Sequence, residues 1–197
     1  MKIFFLFATI ICLIMSSCGR TDKRTNRDES RKVVFKYAEN ISIEQHQKFK
    51  IATLANPWTK GKTLHTYILV DRKDSATCGP LPAGTVIYTP LRRAVMFVSP
   101  HIALAGMLGA SGNIAGVADT RFIRLANIIR KVKSGEITDC GESMNPNVER
   151  IIETCPDALF LSPFENSGGY GSLEKTGIPI IECAEYMETS ALGRAEW

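Results

Sequence analysis

The chain lacks any apolar run long enough to span a bilayer. Its longest such run, from Ile3 to Met15, has 13 residues, whereas a membrane-spanning helix needs about 20. A run of this length directly behind Met1-Lys2 is typical of a secretion signal. The sequence therefore predicts that the mature protein lies outside the cytoplasm.

Several catalytic and metal-binding motifs are also missing. There is no Cys-x-x-Cys pair, nucleophile elbow, metal triad or paired-carboxylate motif, which argues against common zinc, redox and hydrolytic sites. The glycine-rich stretch 167–171 lacks the Lys-Ser/Thr of a P-loop, so it predicts a cleft loop rather than a phosphate cradle. We expect a protein without covalent chemistry, a cofactor or a metal site.

Cysteine is present but gives no clear pairing pattern. Of six cysteines, Cys12 lies in the apolar run and Cys18 directly follows it. The other four would lie in a compartment where disulfides persist: Cys78, Cys140, Cys155 and Cys183. Their spacing leaves both one bridge and isolated thiols open.

Charge is nearly balanced, with a formal net charge of +4. Residues 18–32 are polar, carry both signs and contain no large apolar side chain, so we expect a flexible tether there. A nucleic-acid-binding arm is the alternative. Interleaved acidic residues and the lack of aromatic side chains argue against it, so no nucleic-acid partner is expected.

The part of the chain before Arg93 has the composition of β-strands. Branched and aromatic residues alternate with turn formers, which predicts an antiparallel hairpin system with strands at 33–37, 49–54, 63–70 and 85–88.

From Ala94 onward, strand and helix patterns alternate. Short apolar runs predict buried strands at 94–98, 114–117, 158–161 and 179–181. Between them, helices are expected at 99–108, at 125–133 and from Asn145, with Asn145 as the cap and Pro146 at the first position. This order predicts an α/β domain with a doubly wound parallel sheet.

The third of these helices has a clear apolar face. Its apolar residues Val148, Ile151, Ile152 and Cys155 follow helical spacing. Glu149, Arg150 and Glu153 should therefore point to solvent.

Candidate ligand contacts follow from the sheet topology, because ligands of such sheets bind beyond the carboxyl ends of the strands. Aromatic side chains could stack on a ligand and polar ones could anchor it. His101 could equally be a cap or packing residue, and His46 and His65 are expected to have no special role. The predicted cleft residues are Ser99, Pro100, His101, Asp119, Arg121, Phe122, Phe164, Glu165, Asn166, Tyr170, Tyr186 and Glu188.

Five motifs in order resemble the N-terminal lobe of a known family, the periplasmic binding proteins of ABC importers for iron–siderophore complexes, haem and cobalamin. They are Val95-Met-Phe-Val-Ser-Pro100, Ile114-Ala-Gly-Val-Ala-Asp119, Gly141-Glu-Ser-Met-Asn-Pro-Asn-Val-Glu-Arg-Ile151, Cys155-Pro-Asp-Ala-Leu159 and Gly177-Ile-Pro-Ile180. The matched stretch runs from about Arg93 to Trp197. The resemblance implies one lobe of a two-lobe protein that holds its ligand between lobes joined by a long helix.

The resemblance also implies specific partners and residue roles. Met15-Ser-Ser-Cys18-Gly19 resembles a lipobox, so Cys18 would carry a lipid that anchors the protein to a membrane, although an ordinary secretion signal is the alternative. Glu149 would dock onto arginines of the ABC permease, which works with an ATPase subunit, or it would be a solvated helix residue. Many relatives carry a Thr-Glu or Ser-Glu pair shortly after Ser-Pro. This chain has Ile-Ala-Leu-Ala at 102–105, so the role of that glutamate cannot be assigned to any residue here.

The expected organisation is a signal at 1–17, a tether at 18–32, an α/β lobe at 33–188 and the start of the interlobe helix at 189–197. In this interpretation the chain is a truncated form whose second lobe is missing and whose Trp197 lacks its partners. The alternatives to a binding protein are an extracytoplasmic enzyme on the same scaffold and a surface adhesion or structural lipoprotein.

Overall fold

Two five-stranded sheets form the framework of the computed structural model, which describes residues 30–165 and 169–197. The strands of the first sheet are β1 (Arg31–Lys32), β2 (Ile41–Gln45), β3 (Phe49–Ala55), β4 (Thr63–Asp71) and β5 (Thr85–Thr89). Those of the second are β6 (Ala94–Met96), β7 (Ile114–Val117), β8 (Thr138–Asp139), β11 (Ala158–Leu161) and β12 (Ile180–Glu182). A two-stranded ribbon pairs β9 (Gly141–Glu142) with β10 (Asn145–Pro146).

Four α-helices lie in the described part of the chain: α1 (Ser99–Met107), α2 (Ala126–Lys133), α3 (Val148–Glu153) and α4 (Ala191–Ala195). Short 3₁₀ turns occur at Arg72–Asp74, Ser111–Asn113, Thr120–Phe122, Glu174–Thr176 and Glu185–Met187. None of the helices among these residues is long and apolar enough to cross a membrane.

The second sheet is wholly parallel, with the strand order β12-β11-β6-β7-β8. Its residues alternate between two cores, as the period of two in a strand requires. Ala94 and Met96 pack with α1 and α2 on one face, while Val95 and Phe97 pack with α3 on the other. Helices thus cover both faces of a parallel sheet, and the predicted α/β fold is confirmed.

The first sheet is antiparallel from β1 to β4, as predicted, but β5 runs parallel to β4. One strand prediction is wrong: residues 33–37 form a loop, and the pairing falls on Arg31–Lys32 and on Ile41–Gln45, which was not predicted. The reason is that Val33 and Val34 are exposed, so their branched side chains have no core to enter.

The predicted start of the third helix is also wrong. Asn145 and Pro146 form β10, and α3 begins two residues later with Asn147 as its cap, whose Oδ1 accepts a hydrogen bond from Arg150 N at 3.0 Å. The later start shortens the helix to Val148–Glu153. Ile151 is then fully buried, whereas Ile152 is about half exposed and Cys155 lies beyond the helix end, contrary to prediction.

The end of the described chain contacts its beginning. The Ser190 side chain caps α4 by accepting a hydrogen bond from Gly193 N at 3.0 Å. Trp197, which we expected to lack partners, donates from Nε1 to Glu188 Oε1 at 2.7 Å and packs against the core of the first sheet. The predicted signal at 1–17 and most of the tether at 18–32 lie outside the described residues.

Candidate functional site

The candidate site is the carboxyl edge of the parallel sheet, defined as the loops 97–101, 118–122, 162–165 and 183–188. These loops follow β6, β7, β11 and β12. Since parallel strands all end on the same side, the loops converge on one edge, where ligands of α/β sheets bind. Most predicted cleft residues lie on these loops; Tyr170 lies beyond them, and Asn166 is outside the described residues.

His101 lies in the first turn of α1 and is buried, with 7% of its surface exposed. Its Nε2 is 3.2 Å from Glu185 Oε1, which follows β12. The other polar atom of each group, His101 Nδ1 and Glu185 Oε2, has no hydrogen-bond partner among the described residues. His101 does not cap α1, because the cap position is Val98 and has no side-chain hydrogen bond.

Cys183 completes a cluster with His101 and Glu185. One ligand atom from each of the three side chains lies within 4.8 Å of the others. Burial raises the pKa of the Cys183 thiol, and the negative charges of Glu185 and Glu182 raise it further. In the absence of a cation the thiol is therefore protonated at neutral pH. The four cysteines of the described chain are all free thiols.

A second group lies on the loop after β7. Asp119 adopts a left-handed backbone conformation (φ 49°), and its Oδ2 accepts a hydrogen bond from Ser143 Oγ at 2.5 Å. The Arg121 guanidinium lies 4.8 Å from the centroid of the Phe122 ring and 3.5 Å from Glu142. Phe122 is 56% exposed. An exposed ring beside an exposed cation can stack on a flat ligand and bind its anionic groups.

The loops after β11 and β12 form the third group. The Tyr186 hydroxyl donates a hydrogen bond to Pro163 O, which ties the two loops together. Burial, with the nearby Glu185 charge, raises the pKa of Tyr186, so its hydroxyl stays a donor at neutral pH. Phe164 and Glu165 are exposed beside this contact. At the start of α1, which follows β6, Ser99 is half-buried and Pro100 is exposed.

Glu188, predicted to line the cleft, instead connects residues 39–40 to Trp197. It is buried, and its carboxylate accepts hydrogen bonds from Glu39 N and Asn40 N at 2.9 Å and from Trp197 Nε1 at 2.7 Å. Three donors occupy its two oxygens, so we correct its assignment from ligand contact to structural residue.

Tyr170 was also predicted to face a ligand. Its hydroxyl instead donates a hydrogen bond to Glu182 Oε1 at 2.7 Å. The other oxygen of Glu182 lies 2.9 Å from His65 Nδ1, and His65 Nε2 lies 2.7 Å from Thr85 Oγ1. This network joins β12 to the first sheet, so Tyr170 and His65 stabilise the contact between the two sheets. Burial raises the pKa of Tyr170, and its hydrogen bond to Glu182 adds to this.

Glu149 is exposed in the first turn of α3, as the helical phase predicted. Arg150 and Glu153 are exposed as well. The negative charge of Glu149 near the start of the helix is favourable, and its carboxylate makes no ion pair with another described residue. It is therefore available to a partner.

Two residues of the site, Cys183 and Glu185, were not singled out as ligand contacts. They follow the strand predicted at 179–181, so the topology rule already places their segment at the ligand-binding edge. The partner His101 is 84 residues away from Glu185 in sequence, so the cluster itself becomes visible only in the folded chain.

Comparisons with known proteins were made on the sequence and on the fold. No family model matches the chain. An uncharacterized lipoprotein of Methanocaldococcus jannaschii is 25% identical over 230 aligned positions, which cover 98% of this chain and 54% of that protein. The chain thus spans about half the length of the curated relative it matches.

Among solved structures, the chain is similar to binding proteins for siderophores, haem and vitamin B12. One is the petrobactin-binding protein of Bacillus subtilis (22% identity, 50% of this chain and 33% of that one, TM-score 0.40). Another is a periplasmic haem-binding protein of Pseudomonas aeruginosa (16% identity, 50% and 34%, TM-score 0.38). A third is the periplasmic vitamin B12-binding protein of Vibrio cholerae (16% identity, 54% and 45%, TM-score 0.36).

Proposed function

We propose that this chain contributes the ligand-binding lobe of a lipid-anchored substrate-binding protein of an ABC importer, and that the ligand is an iron–siderophore, haem or a cobalamin-like molecule. The observation that carries the proposal is the exposed Arg121–Phe122 pair at the carboxyl edge of a parallel sheet. The order of motifs from Val95 to Ile180 supports the same class of protein.

The geometry suits reversible binding of a large, flat or aromatic ligand. Phe122 offers a ring face or edge for stacking, and Arg121 offers donors for carboxylate or catecholate oxygens. Phe164, exposed on the loop after β11, adds apolar surface at the same edge. Binding needs no covalent step, and release needs only the loss of these contacts. The partner permease and its ATPase subunit would supply the energy for transport.

Two further parts of the proposal concern the membrane. Cys18 would carry the lipid anchor, which the lipoprotein name of the Methanocaldococcus jannaschii relative supports. Glu149 would bind an arginine of the permease, because an exposed carboxylate can accept both N–H groups of a guanidinium fork. Glu153 lies on the same short helix and is equally exposed, so it provides a matched control for this contact.

A ligand titration tests the proposal. The full chain, purified in detergent, is titrated with haem, a ferric siderophore and cobalamin while tryptophan fluorescence is recorded. We expect saturable quenching by one of the three. Arg121→Ala and Phe122→Ala should each weaken it roughly tenfold, a change of about 1.4 kcal/mol, while Arg130→Ala on α2 should not. Absence of saturable binding to all three ligands would contradict the proposal.

A further inference from the structure

We propose that His101, Cys183 and Glu185 form a binding site for a divalent transition-metal ion of borderline softness, of which Zn²⁺ is the model. The site lies at the carboxyl edge, where the first turn of α1 meets the loop after β12. The inference rests on these three side chains and does not depend on a role in ABC transport.

The spacing of the three donors fits a metal ion. His101 Nε2 and Glu185 Oε1 are 3.2 Å apart, and the ligand atoms of all three residues lie within 4.8 Å. Zinc–ligand bonds of about 2.0–2.3 Å in a tetrahedral site place neighbouring donors roughly 3.3–3.8 Å apart. The 3.2 Å between the histidine and glutamate atoms falls just below this range, so small side-chain rotations would bring all three donors to it.

One unpartnered polar atom points independently to a missing ligand. Glu185 Oε2 is buried and has no hydrogen-bond partner among the described residues. A buried polar atom without a partner is costly, and such atoms usually mark a site for water or an ion. A metal ion bound to His101 Nε2 can take either or both oxygens of this carboxylate. His101 Nδ1 also has no partner among the described residues, but it lies on the other side of the ring from Nε2 and would not contact the same ion.

The donor set selects the class of metal. One imidazole nitrogen, one sulfur and one carboxylate oxygen suit zinc or cobalt, whereas magnesium and calcium prefer oxygen ligands alone. Three protein ligands also leave a fourth position of a tetrahedral ion open. Glu185 is 19% exposed, so water can reach the cluster and take that position.

Cobalt titration tests the site directly. The full chain is reduced, stripped of metal with EDTA and titrated with Co²⁺, whose bond to a thiolate gives a near-ultraviolet charge-transfer absorption. We expect one equivalent of thiolate-bound Co²⁺ at this site, displaced by Zn²⁺. Cys183→Ser should remove this absorption, and His101→Gln should weaken Co²⁺ binding at least tenfold. Cys155→Ser, which removes an exposed thiol, is the matched control and should leave the absorption unchanged.

The change in Tm on addition of Zn²⁺ is a second test, and it still applies if a variant is less stable than the wild type. Zn²⁺ should raise the Tm of the wild type and of Cys155→Ser, because an ion that binds only the folded state stabilises it. It should not raise the Tm of Cys183→Ser or Glu185→Gln. Absence of the charge-transfer absorption in the wild type, its persistence in Cys183→Ser, or an equal Tm rise in all variants would overturn the proposal.

Discussion

Two carboxylates near the end of the described chain fix the loop that precedes the first long strand. Glu196 accepts hydrogen bonds from the backbone N–H groups of Lys36, Tyr37 and Ala38, and Glu188 accepts those of Glu39 and Asn40. Five successive amides thus find acceptors some 150 residues away. These contacts satisfy the N–H groups of residues 36–40 without a strand partner.

Replacing Glu188 tests the first of these contacts. In Glu188→Gln the amide keeps one acceptor oxygen for three donors, and its NH₂ group meets backbone N–H groups. Because the site is buried, we expect the free energy of unfolding to fall by about 1–3 kcal/mol, measured by urea denaturation. Glu153→Gln on the surface of α3 should change it by less than about 0.5 kcal/mol. Equal stability of the two variants would contradict the assigned role.

The Glu196 contact should depend on pH. Desolvation opposes the charged form, but the hydrogen bonds from Ala38, Tyr37 and Lys36 outweigh it and lower the pKa of Glu196 below its ordinary 4.5. A lowered folded pKa means that the stabilisation is present above the unfolded pKa and is lost as pH falls through the folded pKa. The urea midpoints of wild type and Glu196→Gln should therefore differ at pH 7 and approach each other as the pH falls below 4.5. A constant difference across this range would contradict the contact.

At the scale of elements, the strongest sequence signals were those of the buried parallel strands. β7 and β11 lie where the apolar runs predicted them. All four residues of β7 and three of the four in β11 are buried, which leaves few alternatives. β2 was missed although Ile41-Ser-Ile-Glu44 alternates apolar and polar residues, which is the pattern of a half-buried strand. It pairs antiparallel with both β1 and β3. The start of α3 was misplaced because two asparagines offer a cap two residues apart.

Close packing across β7 gives a test at this scale. A Cβ atom added to Gly116 would lie 2.7 Å from Cys140 Sγ and 3.2 Å from Val95 Cγ2. Gly116→Ala should therefore cost about 1–3 kcal/mol of unfolding free energy, measured by urea denaturation. Adding Cys140→Ala should recover part of the loss, since it removes the sulfur. Gly112→Ala, where a Cβ meets nothing within 4 Å, is the control. A loss of the same size in the control would contradict the packing argument.

At the scale of the molecule, a polar contact region connects the first sheet to β12. The Tyr67 hydroxyl donates to Ile180 O at 3.1 Å and accepts from Glu182 N at 2.8 Å, beside the Tyr170–Glu182–His65 network. The first sheet therefore supports β12, whose following loop carries Cys183 and Glu185. Sequence periodicity could not predict this contact, because Tyr67 and His65 lie more than 100 positions from β12.

The candidate site, too, could be predicted only in part from the sequence. The topology rule placed the predicted residues on loops that share one edge, and the exposure of Glu149 followed from helical phase. The sequence did not reveal that Glu188 and Tyr170 are engaged in structural hydrogen bonds or that His101 meets Glu185. Those facts depend on side chains that approach one another only after the strands have paired.

Paramagnetic NMR tests the central claim, that the carboxyl edge binds an iron chelate or haem. Ferric haem and a ferric siderophore broaden amide signals near the bound iron, so each is added to the isotope-labelled full chain in detergent. We predict that one of them selectively broadens signals from residues 99–101, 119–122, 163–165 and 183–187 and leaves β1–β3 unchanged. Broadening centred on the first sheet, or no selective change in these signals with either iron ligand or with cobalamin, would contradict the account.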